Sequence, residues 1–279
     1  MHTVLRLLNV LLPLGYLLAV LDYAVLYATG AGWSTKSATP LARGLAATHA
    51  AYLLLSTVAY GHVPLANVWE AFTFLALALT IVYLVLEWRL HDQATGMFLL
   101  GPALFFQFLS SALITHAREV APILRSSWFG LHVSAALVGY AAFAIAAVYG
   151  TLYLLLYREL KGKRAGLIFQ RLPNLEILAR MNSGALVLGW GCLTLAIVVG
   201  VVWASSLESS GELAGSFLSD PKFLSTVVVW ILYSACLGGR WVLEWPNRIL
   251  ARISVLAFIL MVASSLAVNL VVESFHSFG

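Results

Sequence analysis

The sequence predicts an all-α protein: a polytopic membrane bundle of eight transmembrane helices with both termini outside. Hydrophobic residues make up 61% of the 279 residues and charged residues only 10%, with a mean hydropathy of +0.92. A soluble domain has about 25% charged residues. The second observation is run length, because a membrane-spanning helix needs about 20 apolar residues. Eight runs meet that length, at roughly 4–28, 41–60, 67–90, 96–115, 128–157, 183–206, 222–241 and 249–272.

Transmembrane strands do not account for these runs. A strand of a membrane barrel shows about ten residues of alternating hydrophobicity, whereas the runs here are longer, uniformly apolar and rich in Leu and Ala. Most connections between the runs are short, which favours antiparallel neighbours in one compact bundle. We therefore expect a single integral-membrane domain over residues 1–279.

The distribution of Lys and Arg is the third observation, and it orients the bundle. If the eight runs cross the membrane in turn, one set of loops holds 12 of these residues and the other set, with the amino terminus, holds four. Basic residues concentrate in cytoplasmic loops. The richer set is therefore expected on the inner side of a bacterial cytoplasmic (inner) membrane. Because these basic residues serve topology and contact lipid head groups, they indicate no nucleic-acid partner.

Polar residues interrupt the first two runs. Asp22 lies within the first run, where a carboxyl group is expected to have a buried partner. His49 lies near the middle of the second run, where an ionisable residue marks a functional site by default. It is a candidate mid-membrane ligand or proton-relay position. The alternative is a neutral imidazole bonded to Tyr52, Ser56 or a group of a neighbouring helix.

The third run begins behind an outer loop. Glu70, at its outer start, either caps the helix or accepts the ring N–H of a ligand histidine. His62 and His116 lie in outer loops, where we expect them to be solvated.

Small residues are dense in the fifth run. They let helix backbones approach closely in lipid, or they make room for a flat cofactor. Cys192 and Cys236, in the sixth and seventh runs, form no CxxC pair and are expected to be small packing residues. The small residues of the fifth run include Ala135, Ala136, Gly139, Ala142, Ala146 and Gly150.

His132 lies just inside the fifth run. On a helix it shares one face with Trp128, Ala136 and Tyr140, so its imidazole lies about one turn below an interfacial Trp. The chain ends shortly after the eighth run with His276-Ser-Phe-Gly279. Alternate threading brings both histidines to the same side at similar depth, and two neutral imidazoles are suitable axial ligands for haem iron. Taken singly, each is an ordinary interfacial histidine.

Four segments occur in a recognisable order along the chain. They resemble segments of the cytochrome c assembly family, which includes CcsA/ResC-like, CcmC-like and HemX-like proteins. The segments are Gly61-His-Val-Pro64-Leu-Ala-Asn67-Val-Trp-Glu70, Ser127-Trp128-Phe-Gly-Leu-His132-Val with Gly139-Tyr140-Ala, Gly200-Val-Val-Trp203-Ala with Asp220-Pro221-Lys222, and Asn269-Leu with His276-Ser-Phe-Gly279.

Two departures make the resemblance closest to the HemX-like branch. Members that deliver haem carry a run of tryptophans between the third pair of segments, whereas 205–219 has no Trp and Phe217 is its only aromatic residue. Those members also have a histidine near the inner end of the seventh helix, where this chain has Gly238.

The resemblance implies non-covalent binding of haem b near the outer face, with His132 and His276 as axial ligands. Trp128, Tyr140, Glu70 and Asp220 are the expected outer-face support. The implied function is haem handling or delivery for the maturation of c-type cytochromes, without catalysis by the chain itself. The implied partners are haem, a large extracytoplasmic cytochrome c assembly subunit and apocytochrome c.

Two alternatives remain open at this point. A HemX-like protein would regulate haem biosynthesis through a cytoplasmic haem-synthesis enzyme, which would dock on the basic segment 158–182. A haem-bearing membrane subunit of an electron-transfer complex is the other alternative.

Overall fold

The chain folds into a bundle of helices. The computed structural model describes residues 1–114, 120–163, 166–209 and 217–271, and every regular element in these ranges is helical. The long helices are α1 (His2–Thr29), α2 (Gly32–Tyr60), α3 (Val68–Leu90), α4 (Gly96–Leu113), α5 (Ser127–Lys161), α7 (Leu175–Ser209), α8 (Pro221–Trp241) and α9 (Asn247–Val271). A short helix, α6 (Leu167–Arg171), and two 3₁₀ turns (Pro122–Arg125 and Phe217–Ser219) lie between them.

Seven of the described helices are long and apolar enough to cross a membrane, namely α1, α3, α4, α5, α7, α8 and α9. The prediction of a polytopic helical membrane bundle is thereby confirmed. The helix α2 is long enough but carries polar residues along its length, Lys36, Arg43 and His49 among them. Its crossing, which would be the eighth, stays a prediction.

Local sequence signals determine where several helices begin and end. Asn67 precedes α3, and its side chain accepts hydrogen bonds from two amides of the first turn at 3.0 Å each. Glu70 reaches back to accept from the amide of Ala66 at 2.8 Å, which resembles a capping box. The helices α1 and α2 end at Gly30 and Gly61, whose φ values of 67° and 72° favour glycine.

The long helices form two groups of four. The first group consists of α1–α4, the second of α5, α7, α8 and α9, and α3 packs on α5 between them. Large side chains with a polar tip fill much of the interior, whereas many leucines of α1 face outward. This distribution suits a bundle whose surroundings are lipid, since apolar side chains need no burial there. The fully buried tyrosines are Tyr16, Tyr23, Tyr52, Tyr83, Tyr149 and Tyr233.

Close packing of α5 on α7 forms the centre of the second group. A Cβ at Gly139 would lie 3.2 Å from the backbone oxygen of Gly189, so small residues of the fifth run serve helix packing. The amide of Asn182 on α7 donates to the carbonyl oxygen of Ala146 on α5 at 2.7 Å. This antiparallel register fixes which residues of α7 lie beside the amino-terminal end of α5.

The connection predicted at 158–182 is shorter than expected. The helix α5 extends to Lys161 and α7 begins at Leu175, so both helix ends lie inside that range. Cys236 is buried, Cys192 is partly buried, and both are free thiols.

Candidate functional site

His132 lies in the second turn of α5 with its ring against α7. Its Nδ1 is 2.9 Å from the carbonyl oxygen of Ala196. A carbonyl oxygen only accepts, so Nδ1 is the donor, and in the neutral imidazole the lone pair is then on Nε2. Metal-binding histidines are typically held in this way, with the second ring nitrogen bonded to a carbonyl or carboxylate. The side chain is partly exposed, so a ligand can reach it.

A glycine makes room for this ring. A Cβ at Gly200 would lie 2.7 Å from both Cε1 and Nδ1 of His132, which is closer than van der Waals contact allows. The absence of a side chain at position 200 therefore lets α7 support the imidazole directly. The segment Gly200-Val-Val-Trp203 makes a second contact between α7 and α5. The rings of Trp203 and Phe129 form a T-shaped pair with 6.2 Å between centroids.

The residues predicted to lie beside His132 on α5 differ in exposure. Trp128, His132, Ala136 and Tyr140 form a stripe along α5. Trp128, at its amino-terminal end, exposes 48% of its surface, so its ring is available to a ligand. Tyr140 lies two turns deeper than His132, is partly buried and faces Thr226 of α8. The stripe therefore extends from an exposed aromatic ring at the amino-terminal end of α5 into the helix bundle.

The two acidic residues predicted as outer-face support both cap helices. Glu70 is fully buried and caps α3 as described above. Asp220 is 2% exposed and accepts from the amides of Lys222 at 2.8 Å and Phe223 at 3.2 Å, at the start of α8. Capping is one of the two roles that the sequence left open for Glu70.

We expect Asp220→Ala to lower the free energy of unfolding by about 1 kcal/mol, because a lost helix cap typically costs that much. Asp220→Asn keeps a cap-forming oxygen and is expected to stay near wild type. Thermal unfolding in detergent, followed by circular dichroism, measures both. An alanine variant as stable as wild type would contradict the capping role.

His62 was expected to be solvated, and that expectation is wrong. The side chain is 4% exposed. The segment that follows it contributes Leu65 to a small apolar cluster with Leu124 and Phe129. The Nδ1 of His62 lies 2.9 Å from the carbonyl oxygen of Val63, and its buried Nε2 has no partner among the described residues. Its position in an outer loop gave no sign of this burial.

His49 is completely buried and bonded at both ring nitrogens. Nδ1 lies 2.9 Å from Tyr16 Oη and Nε2 lies 2.9 Å from Thr73 Oγ1. Thr73 donates its own proton to Gln107 Oε1 at 2.8 Å. Its oxygen therefore accepts from His49 Nε2–H, and Nδ1 accepts from the phenol of Tyr16. The ring is satisfied as a neutral imidazole by groups of neighbouring helices.

The hydrogen bonds continue on both sides of His49. Tyr16 Oη is 3.0 Å from Thr80 Oγ1, and the amide of Gln107 donates to Ser111 Oγ at 2.9 Å. The chain from Thr80 to Ser111 thus joins all four helices of the first group. The hydroxyl of Thr80 also donates to the carbonyl oxygen of Ala76 at 2.8 Å. From Tyr16 to Ser111 the donors all point in the same direction, so no polar atom of His49 is left for another ligand in this arrangement.

Two buried carboxylates lie in the same group of helices, toward the carboxyl-terminal ends of α1 and α3. Glu87, two turns from Thr80 on α3, accepts from Tyr23 at 2.6 Å and from the hydroxyl of Thr39. Asp22 accepts from Ser37 at 2.6 Å and from the hydroxyl of Ser34. The prediction of a buried partner for Asp22 is therefore confirmed.

The predicted ligand His276 lies outside the described residues, as do His116, which was predicted to be solvated, and most of the altered loop 205–219. Within the described ranges, no group of three or more His, Cys, Asp and Glu side chains is placed to hold a metal ion. The structure thus describes one of the two histidines predicted to pair.

Similarity to known proteins covers most of the chain. Residues 65–276 match the family described as "Cytochrome C assembly protein". The "Cytochrome c biogenesis protein CcsA" of Pyropia yezoensis is 29% identical over 95% of this chain and 94% of its own length. Proteins of the same name are 31% identical in Parasynechococcus marenigrum (strain WH8102), over 78% of each chain, and 30% identical in Synechococcus sp. (strain CC9902), over 82% of each. The chain belongs to the cytochrome c assembly protein family.

Proposed function

We propose that this protein handles haem for the maturation of c-type cytochromes and holds the haem at the outer ends of α5 and α7. The observation that carries the proposal is the bond from His132 Nδ1 to Ala196, which leaves the Nε2 lone pair of a partly exposed imidazole for iron. The relatives are named for cytochrome c biogenesis. That naming favours maturation over regulation of haem synthesis or electron transfer.

His132 and His276 are the proposed axial ligands of a non-covalently bound haem b. The residues fit this cargo on the side that the structure describes, since His132 is oriented by a carbonyl group and Trp128 offers an exposed aromatic face beside it. His49, whose nitrogens are both bonded, is proposed to organise the first four helices in mid-membrane. A large extracytoplasmic assembly subunit and apocytochrome c are the proposed partners.

The proposed topology has eight crossings, both termini outside, in a bacterial cytoplasmic membrane. Support for α2 as a crossing helix comes from its packing against α1 and α3. Its most polar mid-helix residue, His49, is buried and fully bonded rather than exposed to lipid. The asymmetry of Lys and Arg supports the orientation.

A visible spectrum of the purified full-length protein tests the proposal. We expect a haem Soret band in wild type and its loss in a His132→Ala, His276→Ala double variant. In cells, deletion of the gene should remove c-type cytochromes while haem precursors stay normal. Altered precursors with normal cytochromes would instead favour the regulatory alternative.

A single methyl group on α7 is expected to weaken haem retention. Gly200→Ala places Cβ within 2.7 Å of the His132 ring, so the imidazole must move away from Ala196. Disturbing the group that orients a ligand typically costs about 10–100-fold in affinity. Haem content per protein after purification measures the effect.

Gly191→Ala is the matched control for this prediction. Gly191 lies on the same helix, and a Cβ there meets nothing within 4 Å. We expect the control to retain haem like wild type. Equal retention by both variants would contradict the proposed support of His132 by α7.

A further inference from the structure

The carboxyl-terminal end of α5 and the amino-terminal end of α9 flank an open basic cleft of about 540 Å³. Four cationic side chains line it, Arg158 and Lys161 from α5 and Arg248 and Arg252 from α9. Among the described residues, no acidic side chain lines the cleft. Its volume lies in the range typical of small-molecule sites, which is about 300–1,000 Å³.

The cleft follows from helix periodicity. Leu154, Tyr157, Arg158 and Lys161 stand at i, i+3, i+4 and i+7, so they share one face of α5. Arg248 and Arg252, at i and i+4, likewise share one face of α9. The basic cleft is therefore built by two stripes on different helices.

A close helix contact holds the two stripes together. A Cβ at Gly150 would lie 2.8 Å from the backbone oxygen of Ala251 and 2.7 Å from Ser254 Oγ. This contact lies one turn before Leu154 on α5, so the two backbones are pinned next to the cleft. The positions of the cations thus depend on packed helices rather than on a loop.

The positive charges of the cleft are not neutralised by the part of the chain that the structure describes. Arg248 donates to Tyr157 Oη at 3.1 Å and lies 5.4 Å from the centroid of that ring. Both contacts orient the guanidinium without cancelling its charge. Glu159, next to Arg158 in the sequence, accepts instead from the amide of Phe169 at 2.9 Å, on the side of α6.

Polarity along α5 follows the order found along a phospholipid. Leu154 is apolar, Tyr157 is amphipathic, and Arg158 and Lys161 are charged, in the direction from the bilayer interior to water. We propose that the basic cleft binds the phosphate group of an anionic phospholipid, with the acyl chain beside Leu154. Basic pockets between transmembrane helices commonly bind anionic lipid head groups. The positive-inside rule accounts for the side of the membrane on which basic residues lie, but not for the convergence of four of them on one cleft.

Native mass spectrometry of the full-length protein in detergent tests this proposal. Phosphatidylglycerol, cardiolipin and phosphatidylcholine with matched acyl chains are titrated separately. We expect wild type to bind the two anionic lipids at least about tenfold more tightly than phosphatidylcholine. An Arg158→Gln, Arg252→Gln double variant is expected to lose this preference. Equal affinity of wild type for all three lipids would overturn the proposal.

A matched control distinguishes binding at this cleft from attraction to the overall positive charge of the protein. Arg89→Gln, Arg180→Gln removes the same charge from exposed residues that do not line the cleft, and it is expected to bind lipid as wild type does. An equal loss of the preference for anionic lipid in both double variants would mean that overall charge attracts the lipid and that the cleft is not a specific site. That outcome would overturn the proposal. Displacement of the lipid by equimolar inorganic phosphate would identify a soluble anion as the ligand and would also overturn the proposal. Every arm of this experiment measures lipid binding. The proposal for the cleft can therefore fail while the proposal of haem retention by His132 holds, and the haem proposal can fail while the cleft proposal holds.

Discussion

Replacement of His132 by alanine is expected to reduce the haem retained by the purified protein at least about tenfold. Removing a ligand should cost no less than disturbing the group that orients it, which typically costs 10–100-fold. The imidazole makes only one described hydrogen bond, to Ala196, at a partly exposed position. Its loss is therefore expected to change folding far less than haem binding. The Soret absorbance per protein and the thermal midpoint, measured on the same preparation, separate the two effects.

Two further variants sharpen this test. His2→Ala removes an exposed histidine at the start of α1 and is expected to retain haem. In His132→Gly, added imidazole can occupy the space of the missing ring and is expected to restore part of the Soret band. If His132→Ala retained haem like wild type, the assignment of this residue as an axial ligand would be wrong.

Gly96→Ala is expected to cause the largest loss of stability. A Cβ at the first residue of α4 would lie 2.1 Å from Cδ1 and 2.6 Å from Cγ of Tyr23. The Tyr23 ring cannot easily move away, because its hydroxyl donates to Glu87 at 2.6 Å. The ring also packs against Tyr83 in a T-shaped pair with 5.6 Å between centroids. Overpacking of a core typically costs about 1–3 kcal/mol, and here a buried hydrogen bond is at risk as well.

Gly101→Ala is the comparison for this prediction. It lies on the same helix, and a Cβ there meets nothing within 4 Å. Alanine is the better helix former by about 1 kcal/mol, so this variant is expected to be at least as stable as wild type. Unfolding followed by circular dichroism in detergent ranks the two variants. Equal midpoints would mean that Tyr23 can shift without cost.

The hydrophobic pattern predicted the helical class because length and composition alone distinguish a spanning helix from other structures. It placed α2 less well, since that helix begins at Gly32 rather than near 41. Residues 32–40 contain hydroxyl groups and a proline, which carry no apolar signal. They are helical because α2 packs against α1 there, with Ser34 bonded to Asp22.

Tertiary contacts also decided the roles of individual polar residues. The sequence could place His49 at mid-membrane depth but could not choose among its partners, because Tyr16 and Thr73 come from different helices. The burial of His62 is likewise a property of the folded chain, in which the neighbouring Leu65 packs with Leu124 and Phe129. By contrast, the spacing from Asn67 to Glu70 is local, so the sequence alone could indicate the capping role of Glu70.

The hydrogen-bonded series through His49 has a consequence for biosynthesis. Partitioned alone from the translocon into lipid, α2 would expose an imidazole and several hydroxyl groups to hydrocarbon, which is unfavourable. Among the described residues, the ring nitrogens of His49 bond to Tyr16, which is synthesised before α2, and to Thr73, which is synthesised after it. If α2 crosses the membrane as proposed, we expect its stable integration to await the emergence of α3, with the first three helices entering the bilayer as one cooperative unit.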